Sequence, residues 1–390
     1  MAELTIDAIK SRSVSGVLAL VSRTFSLQLI AFVATFLLTV FLSPSVFGVF
    51  YVVSAFISFL GYFSDVGLAA ALIQKKEELT DDDLSSTFTI QQGLVLGLCL
   101  ISWVLAPYVS VWYALDSGGT LLLYSLIVSF FLSSLKTIPS IILERKLLFG
   151  KLVIPQILET LGFYAVAVIM ASRGYGIMSF TVAVFIRGLV GTVAMYIVSP
   201  WKIRIGISKD VLKRLMKFGV PFQLNSVLAL LKDDLVTMVL GKVLPFEAIG
   251  YIGWAKKWAE LPLRLIMDSV IRVTFPAYSR LQHDSEMLAK AIRISLFAIG
   301  SSIIPISVGL LFFVSPLVDM IPRYEKWEPA IMAFYFFTLS SAVAAFSTPL
   351  TNMLNAIGRI KITLTLMVMW TVMTWVFTFM LIPVLGFMAV

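Results

Sequence analysis

Histidine and cysteine each occur once in this sequence, as His283 and Cys99. A lone cysteine cannot close an internal disulfide, and within an apolar run it reads as a packed core thiol. With His283 in a polar loop, a His/Cys metal cluster is excluded as well. Charge is scarce: 13% of residues are Asp, Glu, Lys or Arg, against about 25% in soluble proteins. No G-x-x-x-x-G-K-[ST] phosphate loop and no nucleophile elbow occurs. The amphipathic start MAELTIDAIKSRSVSG leads into no short apolar core with a cleavage site. It is expected to be a retained interfacial helix rather than a cleaved signal.

What the chain has in excess is apolar sequence, 59% of its residues, with a mean hydropathy of +0.97. That composition predicts an all-α polytopic membrane protein. Runs of spanning length, about 17–25 residues, fall near 14–42, 47–74, 86–113, 119–141, 152–172, 177–199, 218–241, 247–276, 291–318, 329–356 and 360–383, eleven in all. Short connections join them, with turn residues in SPSVFG (43–48), DSGG (116–119) and RGYG (173–176). Most tryptophans, Trp327 among them, fall near predicted span ends and are expected to anchor at the interface. Trp254 and Trp258 flank a charged face, where sugar stacking is a lesser option.

Lys and Arg are distributed unevenly between alternate connections. An N-inside topology places eighteen on the inner side and only Arg173, Lys242, Arg323 and Lys326 on the outer, the expected bias. The net charge of +8 is therefore read as a topology signal, with no nucleic-acid partner implied. The same alternation requires the charged segment 247–276 to cross. The basic stretch Trp201–Lys217 divides the chain into residues 1–200 (a six-helix lobe), an inner linker at 201–217, and residues 218–390 (five helices plus the start of a sixth). Laying the chain on itself at an offset near 202 aligns PSVFGVFY (44–51) with PFEAIGYI (245–252), Gly48 against Gly250. Asp65 then falls one place from Asp268, and an internal two-lobe repeat is expected. A sixth helix that stops early predicts a truncated product of a protein with twelve or more spans.

Ionisable groups at span depth are costly and mark function. The basic ones are Arg23, Lys136, Arg187, Lys232, Lys256, Lys257, Arg264 and Arg272, and the acidic ones Asp65, Glu159, Asp233, Asp234, Glu260 and Asp268. Lys136, near a span end, is expected to snorkel to the interface, and Glu159 to cap or pair with a neighbour. Arg23 and Arg187 lie near mid-span, where snorkelling is hard. Lys232, Asp233 and Asp234 cover about 200° of one helix and cannot all face one cavity. From Lys256 through Glu260, Arg264 and Asp268 to Arg272, charges of alternating sign recur every fourth residue. On one helix these form an i,i+4 ladder, either a self-paired brace or a binding surface. Prolines within spans, Pro139 and Pro262 among them, permit kinks.

Several stretches resemble the polysaccharide transporter family, the lipid-linked oligosaccharide flippases of the multidrug/oligosaccharidyl-lipid/polysaccharide exporter superfamily. They are LSPSVFGVF (42–50), FSDVGLAAALIQ (63–74), ERKLLFGKL (144–152), DLVTMVLGK (234–242), IGYIGWAKKWAELPLRL (249–265) and FPAYSRLQHD (275–284). The resemblance implies a two-lobe bundle like that of the multidrug exporters, opening alternately to each side of the bacterial inner membrane. It also implies an undecaprenyl-diphosphate-linked oligosaccharide as substrate, and makes Asp65, Asp234 and the basic face of 247–276 family-typical positions. A diphosphate needs fixed cations in a low-dielectric core, and the Arg fork suits phosphate. Expected substrate contacts are thus Arg23, Arg187, Lys232, Lys256, Arg264 and Arg272. Expected charge-balancing or ion-coupling groups are Asp65, Glu159, Asp234, Glu260 and Asp268. No cofactor is expected, though coupling to a proton, sodium or the membrane potential is open. Partners beyond the anionic glycolipid are membrane lipids and polysaccharide polymerase machinery. The alternative is an ion-coupled multidrug antiporter of the same superfamily, which predicts carboxylates and aromatics in excess over basic groups. A membrane polymerase or ligase would need a large outer loop, and these loops are short.

Overall fold

A computed structural model describes residues 26–75, 77–232 and 234–390, with the side chains of Phe218, Pro221, Phe222, residues 224–232, Asp268, Ser269 and Arg272 outside the described groups. Among the described residues the regular structure is helical throughout, with no strand. Eight stretches are long and apolar enough to cross a membrane: Pro44–Gly61, Asp81–Trp112, Ser117–Arg145, Phe149–Ser172, Met178–Val198, Ser285–Met320, Glu325–Ala356 and Ile360–Ala389. The chain is an all-α polytopic membrane protein. Of the eleven expected spans, the first is described only as the shorter apolar helix Ser26–Phe41 (α1). Those at 218–241 and 247–276 fall outside the eight, and both carry the densest intramembrane charge.

Packing separates two compact units, one of Val49–Lys242 with the stretch ending at Leu42, the other of Ser43–Gly48 with Val243–Val390. The change of unit thus falls at Lys242 rather than across 201–217. The reason is that Lys209–Lys232 (α9) packs on Leu68–Gln74 (α3) and on Asp81–Trp112 (α4). Val211 and Leu215 of α9 join Leu68, Leu72, Phe88 and Ile138 in one buried cluster. Only the first half of the expected linker is irregular, since α9 begins at Lys209.

Pro44–Gly61 (α2), which belongs to the first unit from Val49 onward, and α3 replace the single expected span 47–74. Between them Val66 and Gly67 adopt positive φ, +50° and +76°, which ends one helix before the next begins. Asp65 serves that break: its carboxylate accepts from Gly67 N at 2.8 Å and Ala69 N at 3.3 Å. The turn expected at 43–48 is confined to its first residue, because Pro44 opens α2, a position that suits proline. Ser117–Leu135 (α5) and Thr137–Arg145 (α6) meet at Lys136. Phe149–Ser172 (α7) and Met178–Val198 (α8) form the most extensive pairing, with α5 against α8 next. Small residues permit the approach: Ala167 and Ala183 are fully buried, and a Cβ on Gly188 would meet Ser129 Oγ at 2.8 Å. The short helix Asp234–Val243 (α10) completes the unit.

The second unit contains Phe246–Ala259 (α11), Leu261–Arg280 (α12), Ser285–Met320 (α13), Ile331–Ala356 (α14) and Ile360–Leu385 (α15), with 3₁₀ turns at Glu325–Ala330 and Gly386–Ala389. The expected single helix 247–276 is therefore two. They join at Glu260, φ −83° and ψ −10°, because Pro262 has no N–H to donate to the Trp258 carbonyl. Tryptophans expected as anchors lie in the core here. Trp254 stacks on the fully buried Trp327 at 5.5 Å and donates from Nε1 to Tyr324 OH at 3.1 Å. Phe47 meets Trp327 edge-on at 5.7 Å. Gly48 and Gly250, aligned by the repeat, make matching contacts. A Cβ on Gly48 would lie 1.8 Å from the Phe246 carbonyl oxygen, and one on Gly250 2.0 Å from that of Pro44. The 202-residue offset exchanges the two contacts, Pro44 standing to Phe246 as Gly48 does to Gly250.

Candidate functional site

The polar groups at span depth in the first unit gather where α5, α6, α7 and α8 meet. Pro139 cannot donate to the Leu135 carbonyl, so the helix breaks at Lys136, φ −85° and ψ −1°. The Tyr196 hydroxyl donates to the Leu135 oxygen instead, at 3.1 Å. The break aims Lys136 across the bundle, and its Nζ donates to Glu159 Oε2. The pair is largely buried, with side-chain exposures of 20% and 12%. Gly191 of α8 backs it: a Cβ there would lie 2.1 Å from Glu159 Oε2 and 3.0 Å from Lys136 Nζ. Lys136 therefore does not snorkel. Its ammonium reaches a carboxylate 23 residues on, and Glu159 pairs as expected.

One turn along, α7 and α8 place Arg187 over Phe163, the guanidinium carbon 5.9 Å from the ring centroid. Such a ring face attracts a cation without neutralising it. Tyr164, hydrogen-bonded to Thr35, is near enough to feel the Arg187 charge. Arg187 makes no ion pair among the described residues, and it is exposed on the unit. It is the tenth residue of a 21-residue helix, so at 1.5 Å per residue either end is roughly 15 Å away. Lys136 and Glu159 cancel, and the cluster keeps one positive charge, on Arg187.

The remaining expected site residues do not join this cluster. Asp65 caps α3, and Asp234 sits in the first turn of α10, where a negative charge faces the helix dipole favourably. On the ladder, Arg264 Nη2 donates to Glu260 Oε2 at 2.8 Å, the expected i,i+4 pair spanning the α11–α12 junction. Lys256 is exposed and, among the described side chains, no ion pair joins it to Glu260. Lys257 and Arg264, of like sign, sit within electrostatic reach of each other. Arg23 lies outside the described residues, as do the side chains of Lys232, Asp268 and Arg272. Glu260→Gln is expected to change stability by no more than about 0.5 kcal/mol, since exposed i,i+4 pairs contribute little. Thermal unfolding of the purified protein checks this, and a large loss would make the pair a brace.

A second charged cluster was not anticipated. Asp83 is fully buried and takes Lys75 and Arg214 (3.0 Å) as partners. It also caps α4 through Thr80: Thr80 N donates to Asp83 Oδ2 at 2.8 Å, and Asp83 N to Thr80 Oγ1 at 3.1 Å. Nearby, Arg145 clamps the Leu72 and Glu77 carbonyls at 2.8 and 2.7 Å, and Ser208 N donates to Ser86 Oγ at 2.9 Å. The cluster ties the 75–80 loop, α4, α6 and the start of α9 together. Its sequence signal was the T-x-x-D spacing of a capping box.

Comparison with known proteins bears on what this cluster of helices serves. The model of a family described as polysaccharide biosynthesis protein matches residues 37–332. The succinoglycan biosynthesis transport protein ExoT of Rhizobium meliloti is 25% identical over 339 residues, covering 86% of this chain and 67% of that one. Among solved structures, the lipid II flippase MurJ in an inward closed conformation superposes with a TM-score of 0.73 at 16% identity, covering 95% of this chain and 83% of that one. An inward-facing multidrug resistance MATE family transporter of the MOP superfamily gives 0.68 at 14% identity, covering 91% and 88%. The fold is shared with both. By the extent of the family match, three quarters of it, the chain belongs to the polysaccharide biosynthesis protein family.

Proposed function

We propose that this protein is a flippase that carries a lipid-linked oligosaccharide across the membrane, with Arg187 contacting the anionic head group. The observation that carries the reading is the uncompensated guanidinium of Arg187 at mid-span, beside a Lys136–Glu159 pair that has no charge left to give it. An unpaired cation at that depth costs some kilocalories per mole. A polyprenyl diphosphate, with two or more negative charges, would repay it through charge-assisted bonds. Family membership and the transport and flippase names of ExoT and MurJ support the same class of cargo. A cationic-drug antiporter would need the opposite sign.

In this reading the substrate is an undecaprenyl-diphosphate-linked glycan, moved from the inner to the outer leaflet of the bacterial inner membrane by alternating access, with the N-terminus cytoplasmic. Polymerase machinery would receive the product. Arg264, held by Glu260 while no substrate is bound, and the exposed Lys256 would be further phosphate contacts on the second unit.

Arg187→Gln is expected to lower surface polysaccharide at least tenfold when it replaces the wild-type copy, at unchanged membrane expression. Arg187→Lys should retain part of the activity, because it keeps the charge and loses the fork. Wild-type export by Arg187→Gln would remove Arg187 from the site.

A further inference from the structure

The Lys136–Glu159 pair has a consequence for energy coupling that family membership does not supply. A buried carboxylate at span depth can couple transport to an ion gradient only if it exchanges a solution cation, a proton or an alkali ion, during the cycle. Glu159 is the most deeply placed acid in the α5–α8 bundle, and its Oε2 is already occupied by the Lys136 ammonium. Gly191 lies against the pair from α8, where a methyl group would collide with Glu159 Oε2 and crowd Lys136 Nζ. The charged groups around Glu159 are Lys136 from the α5–α6 break and, one turn along α8, Arg187; at the break itself Tyr196 of α8 donates to the Leu135 carbonyl, and the uncharged Gln91 and Gln92 of α4 bond Thr137 and Ser134 on either side of Lys136.

Those glutamines add an independent observation. Gln91, 4% exposed, donates from Nε2 to Thr137 Oγ1 at 2.9 Å, yet its Oε1 is buried without a partner. Gln156, one turn before Glu159 on α7, also has a buried Oε1 without a partner. Oxygen atoms of this kind are ligands for hard cations. Gln91 is tied to Thr137, next in sequence to Lys136, and Gln156 shares α7 with Glu159; the cation that Glu159 itself holds is the Lys136 ammonium.

We propose that Lys136 is a tethered counter-ion standing where a coupling cation would otherwise bind, so that Glu159 is neutralised from within and exchanges neither sodium nor protons during transport. Energy coupling must then reside elsewhere or come from the membrane potential. The inference rests on the flippase reading for its meaning, but its test is a binding measurement that does not depend on export.

The test compares thermal unfolding of the purified full chain in saturating sodium chloride and in choline chloride, and across pH. Wild type is expected to show no sodium-dependent shift. Lys136→Met should acquire one of about 5 °C with sodium, or an equal gain as the pH falls. The double variant Lys136→Met/Glu159→Gln, which has no charge to neutralise, should lose the response. It also covers the case in which the single variant fails to fold, because neutralising both partners should restore a folded protein. Sodium-dependent stabilisation of wild type that Glu159→Gln abolishes would overturn the proposal. So would a folded Lys136→Met indifferent to both cations, or a double variant that stays unfolded.

Discussion

Alanine at Gly48 or Gly250 is expected to destabilise the second unit by more than about 3 kcal/mol, the upper end of overpacking costs. The new methyl carbon would sit 1.8 or 2.0 Å from a backbone carbonyl oxygen. A side chain in the way can turn aside, but a helical carbonyl cannot move without opening its own hydrogen-bonded turn. The same displacement would disturb Phe47 against Trp327 and with it the Trp254–Trp327 stack. Gly309→Ala is the control in the same unit: its Cβ meets nothing within 4 Å, so alanine should be neutral or stabilise the helix by up to about 1 kcal/mol. Unfolding temperatures of the three purified variants give the comparison. A Gly48→Ala protein as stable as Gly309→Ala would show that the two helices do not approach as described.

The second large effect is expected at Asp83. Its carboxylate is fully buried and accepts from Lys75, Arg214 and both Thr80 donors. Asp83→Ala removes a capping box and leaves the Lys75 ammonium, 7% exposed, without its partner. Breaking a buried pair from one side costs about 3–5 kcal/mol, because the surviving charge is stranded away from water, and losing a cap adds about 1 kcal/mol. The partners should rank by burial. Lys75→Ala comes next, and Arg214→Ala, 57% exposed, last and within about 1 kcal/mol. Unfolding temperature and protease resistance of the 75–80 loop read the order. An Asp83→Ala protein no weaker than Arg214→Ala would reduce the cluster to a solvated ion pair.

Element type was readable because long apolar runs have one solution in lipid, the hydrogen-bonded helix. Eight of the spans depend on nothing subtler. Breaks inside spans were harder to place. Pro262 and Pro139 marked two helices as free to kink, but which residue each bend would aim, Glu260 or Lys136, depends on the neighbouring helix. Lys136 looked like a snorkelling lysine because its partner Glu159 is 23 positions away, on a helix known to be adjacent only once α5, α7 and α8 are packed. Asp83 was hidden for another reason. Asp81, Asp82 and Asp83 are adjacent and chemically identical, and only the fold separates Asp83, fully buried, from its exposed neighbours. On the charge ladder, spacing alone foretold the Glu260–Arg264 bond, since i,i+4 geometry is local.

The reciprocal glycine contact also sets an order of events at the ribosome. Ser43–Gly48 is made early, yet its packing partners are Phe246 and Gly250. At about 5–20 residues per second, the segment waits roughly 10–40 s for those two partners to be synthesised. Meanwhile Val49 onward, continuous with it in α2, can already be folding into the first unit. One helix thus has its head committed to the later unit and its body to the earlier. A membrane chaperone or insertase that shields the nascent chain would have to hold this stretch longest.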